Sequence, residues 1–439
     1  MTAENGGGAF VLIYILSVLF LALPIMCAEI LIGKRGKQNP VSTLRTLSGE
    51  ASYYTKDESD ISLNRTVKVK RQFDNNDLFS NWELVGWMGI LAGILILSFY
   101  SVIAGWTLSY VIKSITGSFA LITAAGSTSK FESFISDPEK LILWHTLFMI
   151  LTCYIVSKGI KSGIERAIKF LIPGLFILLI GLAIHASTLT GFSEAINYLF
   201  VADFEKINNS VILSAMSMAF FSLSIGMGSL MVYGSYLPDD TSIFQVSSAV
   251  AFFDTLVAIL AGVIIFPIVF TYDLDPSSAG PGLIFQTLPI AFGAMDFGSI
   301  IATAFFILLF FAAITSSISL IEPAITFVIE KFSLSRIYAT NLLGLGTWVL
   351  GIFTVLSFNE LSNFKIFGMT IFDNIDYLTS KIMLPLGGLL MALFAGFIMN
   401  RTIVISELNS NKLLANLWFI LLKIFSPILL IIIFVKGII

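Results

Sequence analysis

Few residues of this 439-residue chain have chemistry to offer, and those few sit in apolar surroundings. Asp254 lies within the apolar run 243–270 and Glu29 within 9–32. A carboxylate is costly inside such a run, so it reads first as a functional group. A protonated, hydrogen-bonded structural acid is the competing reading of Asp254. The stretch Ser222-Leu223-Ser224-Ile225-Gly226-Met227-Gly228 places two serines and two glycines in mid-run, which weakens a helix and lets backbone approach a ligand. Irregular backbone inside a bilayer survives only where it is buried in protein or lines a cavity. Secondary transporters use such breaks to aim half-helix dipoles and free carbonyls at substrate and ions. A glycine-faced packing seam explains the same residues equally well. Thr315-Ser316-Ser317 adds hydroxyls to another run, where the plain alternative is a bond to backbone one turn back.

Enzyme chemistry finds no support. No general acid–base pair, nucleophile elbow, phosphate loop or metal-binding His/Cys cluster is present. Cys27 and Cys153 read as buried, inert thiols, and His145 and His185 lie at run edges without ligand partners by spacing.

The elements that must position these groups are membrane helices. The chain is 56% hydrophobic and 12% charged, about half the charge of a soluble domain. Apolar runs at 9–32, 84–116, 141–157, 167–189, 210–237, 243–270, 297–329, 337–357, 374–399 and 414–435 predict about ten transmembrane helices, the second long enough to require tilt. This is an all-α polytopic membrane protein with a single transmembrane domain and the lipid bilayer as its solvent. Net charge is only -3 and no basic tail stands out, which argues against nucleic acid.

Charge also orients the chain. Lys34, Arg35, Lys37, Arg45, Lys56, Arg65, Lys68, Lys70 and Arg71 crowd the connector 33–81, and alternate connectors repeat the excess. The positive-inside rule makes 33–81 cytoplasmic, and it reads as an ordinary surface loop. Residue Met1 then lies outside, with no signal to carry it there. Transporters with inverted repeats carry a matching interrupted helix in each half. A five-helix repeat beginning at the broken run would place its partner just ahead of Met1. Both arguments predict one absent helix before residue 1. The remainder of the first repeat is then 1–190, the second repeat 210–400, and 414–435 an extra C-terminal helix.

In order along the chain come Asn5-Gly6-Gly7-Gly8-Ala9-Phe10, Pro24-Ile25-Met26-Cys27-Ala28-Glu29 and Gly105-Trp106-Thr107-Leu108. Lys158-Gly159-Ile160, Gly163-Ile164-Glu165-Arg166-Ala167, the Phe221–Gly228 break, Thr315-Ser316-Ser317 and Glu322-Pro323 follow. This set resembles the neurotransmitter:sodium symporter family across essentially the whole chain. The resemblance implies the inverted five-helix repeat of a leucine-transporter-like fold. In that family the Asn-Gly-Gly-Gly-Ala-Phe turn follows the first, broken helix, so the departure here is again a missing first helix.

The resemblance also implies roles. Tyr100 meets the substrate carboxylate, Phe221 lids the pocket, and Ser224, Gly226, Met227 and Ser316 line it, with Ile96 and Leu320 shaping its apolar end. Ser222 and Asp254 match one sodium site. The Ala312 carbonyl with the Thr315 and Ser316 hydroxyls matches the second, in keeping with a hard cation's need for oxygen. Glu29 braces the unwound backbone from behind. Asp376 resembles the acidic half of an outer gate and Glu330 that of an inner gate. Many relatives have asparagine at Asp254 and recruit chloride, so a fixed carboxylate here implies chloride-independent transport.

The expected function is sodium-coupled symport of an amino acid or similar zwitterion across the cytoplasmic (inner) membrane by alternating access. A transport-inactive remnant or binding-only protein of the same family is the alternative, and a proton in place of sodium is disfavoured by Thr315-Ser316. Met227 and Leu320 point to an apolar substrate side chain. No oligomeric state is read from the sequence.

Overall fold

The computed structural model describes residues 2, 5–54, 81–275, 280–408 and 411–438. Lys56, Arg65, Lys68, Lys70 and Arg71 of the basic connector lie outside them. Among the described residues the ordered elements are helices. Nine are long and apolar enough to cross a membrane: α1 (Gly8–Gly36), α3 (Glu83–Ile115), α5 (Pro138–Ser157), α6 (Ile160–Ser187), α10 (Ile243–Thr271), α12 (Gly298–Phe332), α13 (Arg336–Ser357), α14 (Ile371–Ile398) and α16 (Lys412–Lys436). The predicted run 210–237 is the tenth element, and it is interrupted: α8 (Asn209–Ser222) and α9 (Ser229–Tyr236) are two half-helices. Short helices cap the bundle: α2 (Pro40–Tyr54), α4 (Ala124–Ile135), α7 (Phe192–Phe200), α11 (Leu283–Ala294) and α15 (Arg401–Glu407).

Three sequence expectations need correction. The connector 33–81 is not simply a surface loop, because residues 40–54 form α2. Asn39 caps it by accepting the Val41 and Ser42 amides, Arg35 pairs with Glu50, and Arg45 grips Glu83 at 2.5 Å. The positive charges there are therefore spent partly on internal pairs. The helix expected at 167–189 begins at Ile160, so Lys161, Arg166 and Lys169 ride on it. His145 is not at an edge: it is fully buried on α5, with its Nε2 3.2 Å from the Trp348 carbonyl.

α3 and α12 form the long central pair. They approach closely because Gly93 faces the Leu320 carbonyl, which a β-carbon would meet at 2.5 Å. α1 and α9 are similarly close: a β-carbon on Gly33 would strike the Met231 carbonyl, and one on Gly234 would lie 2.4 Å from the Ile30 carbonyl. Without hydrophobic drive between helices in lipid, such close backbone packing is what holds a bundle. A second apolar cluster around Trp106, Tyr110, Phe285 and Phe306 ties α3 to α11 and α12 at the end remote from α2. There Ser127 of α4 donates to the Gln286 carbonyl at 2.6 Å.

Candidate functional site

The break between α8 and α9 has the geometry that its residues permit. Ser224 (φ 55°), Gly226 (φ 85°) and Gly228 (φ 74°) all lie in the left-handed region. Ser224 is the exception among these, since a side chain there costs about 1–2 kcal/mol. The Ser224 amide still bonds the Phe221 carbonyl at 3.1 Å, which closes the end of α8. A helix end leaves several backbone groups without partners, and here two ends meet. Glu29 of α1 supplies one partner: its Oε1 accepts the Gly226 amide at 2.5 Å. Gly226 has no room for a side chain, because a β-carbon would sit 2.7 Å from the Leu384 carbonyl of α14. Gly89 of α3 closes the other flank, its β-carbon position lying 3.1 Å from the Gly228 amide nitrogen. The seam reading and the break reading of these glycines thus merge: the backbone is unwound, and glycines let neighbours reach it.

Two groups of polar side chains lie on the helices around this break, one at its edge on Ser222 and the other on the α3–α12 pair, where α12 meets α9 through the bond from Ser229 to the Ser319 carbonyl. On one side, Tyr14 of α1 and Ser222 at the end of α8 have hydroxyls 3.1 Å apart, and Ser222 reaches the Asp254 carboxylate of α10. Tyr14 is not among the residues expected from sequence. A phenol in an apolar helix gives no sign of its partner until α8 is placed beside it. Asp254 is half-buried, and its Oδ2 meets no donor among the described residues. A carboxylate oxygen with a serine and a tyrosine hydroxyl beside it offers oxygen donors of the kind a small hard cation takes.

On the other side, Tyr100 of α3 is hydrogen-bonded to Ser316 of α12. Ser316 is exposed, whereas Ile96 (1%) and Leu320 (6%) are buried behind it. Thr315 donates to the Ala312 carbonyl at 2.8 Å, the backbone bond that a helical threonine makes when nothing else claims it. Met227 is buried at 3% exposure, and Phe221 stands 39% exposed at the end of α8. Ser224 is half-buried in the break itself. Ile96, Tyr100, Ala312, Thr315, Ser316 and Leu320 therefore share the α3–α12 seam, and Ser222, Ser224, Gly226, Met227 and Asp254 cluster on the break and α10.

The two acidic candidates for gates lie elsewhere. Asp376 near the start of α14 accepts a bond from Ser380 at 2.8 Å. Glu330 near the end of α12 accepts from the Asn39 amide at 2.9 Å and from its side chain at 2.6 Å, so the head of α2 fixes it. A further network was missed in the sequence. Glu322, fully buried on α12, pairs with Arg336 of α13 and accepts the Tyr236 hydroxyl at 2.9 Å. Arg336 also donates to the Val156 carbonyl of α5 at 2.7 Å. Glu322-Pro323 was a visible motif, but Arg336 lies in one of the alternate basic connectors and nothing in the sequence joins it to Glu322.

Residues 128–439 match the family described as the sodium:neurotransmitter symporter family. The chain belongs to that family. Its similarity to curated symporter relatives spans nearly its full length. An uncharacterized sodium-dependent transporter of Haemophilus influenzae is 34% identical over 100% of this chain and 92% of its own. The Bacillus subtilis transporter YhdH, also uncharacterized, is 32% identical over 99% and 91%. Among solved structures, MhsT in complex with L-phenylalanine superposes with a TM-score of 0.85 at 39% identity, covering 99% of this chain and 93% of that one. This symporter therefore has the leucine-transporter-like fold and belongs to a family of multi-pass, sodium-dependent membrane transporters, not of enzymes.

Proposed function

We propose that this symporter carries an amino acid with an apolar side chain into the cell across the cytoplasmic membrane, together with sodium and without chloride. The single observation that carries the reading is the unwound Ser222–Gly228 backbone, braced by Glu29 and joined at Ser222 to the Asp254 carboxylate. Tyr100 and the break amides would meet the substrate carboxylate, with Ser224, Gly226, Met227, Ile96 and Leu320 around its side chain and Phe221 above. MhsT was solved with L-phenylalanine, which agrees with an apolar pocket.

Sodium would take one position between Ser222 and Asp254. A second would lie where the Ala312 carbonyl and the Thr315 and Ser316 hydroxyls converge; there Thr315 would exchange its backbone bond for the cation. The Asp254 carboxylate provides the negative charge that neutralises a bound cation, so no anion is required. Each sodium moving inward through 100 mV releases about 2.3 kcal/mol, equivalent to about a fifty-fold gradient of solute. Asp376 and Glu330 would close the outer and inner ends. The two repeats, 1–190 and 210–400, then exchange access by rocking of one bundle against the other, with 414–435 outside the exchange.

The test is uptake into proteoliposomes, scanned across amino acids, with sodium against choline and chloride against gluconate. Sodium-dependent accumulation of apolar amino acids that is equal in gluconate supports the reading. Uptake without a sodium gradient, or none for any amino acid with sodium binding intact, refutes it.

A further inference from the structure

Lysines are scarce on the face opposite the basic α2 side, as the positive-inside bias requires, yet three of them converge there on one cavity. It measures about 500 Å³ and lies between the end of α3, helix α4 and the start of α5, well away from the break. Lys113, Lys130 and Lys140 line it, along with Ser109, Ser129 and Trp144. The three ammonium groups are near enough for Lys130 and Lys140 to repel Lys113.

Each lysine is held so that it stays available to the cavity. The Lys113 ammonium lies over the faces of Phe134 (4.0 Å) and Tyr110 (4.5 Å), which fix it without consuming its protons. Lys130 donates one proton to the Ser118 carbonyl at 2.5 Å, and Lys140 pairs with Asp137 at 2.6 Å. An ammonium has three donors, so each retains some. Among the described residues the Asp137 contact is the one carboxylate ion pair made by the three lysines. Lys113 and Lys130 thus make no carboxylate ion pair among the described residues, and an anion in the cavity would meet both.

We propose that this cavity binds a phosphate group, as a lipid phosphodiester or as a free phosphate. Its volume is far beyond a halide, and three ammonium groups with serine hydroxyls between them call for more acceptor oxygens than a carboxylate has. A phosphate offers several, and lysine is a common partner for it. Trp144 belongs to the aromatic class that marks the membrane–water boundary, and Leu143 (53%), Leu147 (40%) and Ile150 (58%) are exposed further along the same helix. A headgroup of the adjoining leaflet is therefore in reach of the mouth, as is a soluble phosphate from the aqueous side.

The experiment uses the purified full chain. One arm counts retained lipids by native mass spectrometry after incubation with phosphatidylglycerol or phosphatidylcholine. The other follows thermal melting in inorganic phosphate against chloride at matched ionic strength. Both arms are repeated with Lys130→Gln/Lys140→Gln, which alters exposed or half-exposed side chains, and with Lys113→Gln. Preferential phosphatidylglycerol retention that falls about tenfold in the double variant assigns the site to a lipid. A phosphate-specific rise in melting temperature that the variants lose, without lipid preference, assigns it to a soluble anion. No preference in either arm, or a preference that both variants keep, overturns the proposal.

Discussion

Substituting alanine for Gly226 attacks the break at its tightest point. The residue has φ 85°, and its β-carbon would lie 2.7 Å from the Leu384 carbonyl and 3.2 Å from the Gly388 amide nitrogen. The left-handed conformation costs a residue with a β-carbon about 1–2 kcal/mol. Forcing a methyl group against backbone adds about 1–3 kcal/mol, because neither helix can yield without repacking. The expected loss is therefore about 2–5 kcal/mol, concentrated at the site that holds substrate. Gly181→Ala is the matched control: it lies in α6 with nothing within 4 Å of its β-carbon position. There alanine gains about 0.5–1 kcal/mol from helix propensity. Both variants would be purified in detergent and melted with and without sodium and an apolar amino acid. Gly226→Ala should melt lower and lose the shift produced by ligand; Gly181→Ala should melt at or above the parent and keep it. A Gly226→Ala protein that melts with the parent and retains its ligand shift would refute the account of the break.

Arg336→Met should destabilise the protein by about 3–5 kcal/mol, because it strands the buried Glu322 carboxylate. Glu322→Gln in the same chain should restore most of the melting temperature. Tyr14→Phe removes the hydroxyl set against Ser222, so the sodium concentration for half-maximal uptake should rise about fivefold while substrate KM at saturating sodium stays put. Unchanged sodium dependence would place Tyr14 outside the cation site. Asp254→Asn should turn chloride-indifferent uptake into uptake that needs chloride, read by exchanging chloride for gluconate. Glu29→Ala leaves the Gly226 amide without its acceptor and should cost about 1–3 kcal/mol, measured by melting.

Much of the architecture was legible because the bilayer leaves the chain few choices. Apolar runs located the spanning helices, whereas the Ser/Gly content of 222–228 fitted a break and a packing seam equally, and the family resemblance tipped it toward the break. The ends were less legible. α6 starts at Ile160 because Lys161, Arg166 and Lys169 can sit on a helix whose long side chains reach the interface, which hydropathy alone scores as connector. α2 escaped notice for a related reason: its support comes from Asn39, Glu50 and Glu83, which act from outside its apolar pattern. Within the site, Asp254 and Ser222 stood out as polar groups in apolar runs. Tyr14 did not, since its partner Ser222 lies 208 residues away, and Arg336 did not, since it sits on α13 and meets Glu322 of α12 only once the turn between the two helices folds them together.

Gly33 and Gly234 have a mechanical consequence. They hold α1 and α9 backbone to backbone, while Glu29 on α1 grips the amide of Gly226 just ahead of Ser229, the first residue of α9. So tight a joint leaves little slack, and a shift of the unwound segment would carry α9 with it toward Tyr233 and Tyr236, whose hydroxyls rest on Ser319 and Glu322 of α12. Those two contacts, together with the bond from Ser229 to the Ser319 carbonyl, are the latch that such a lever would have to lift.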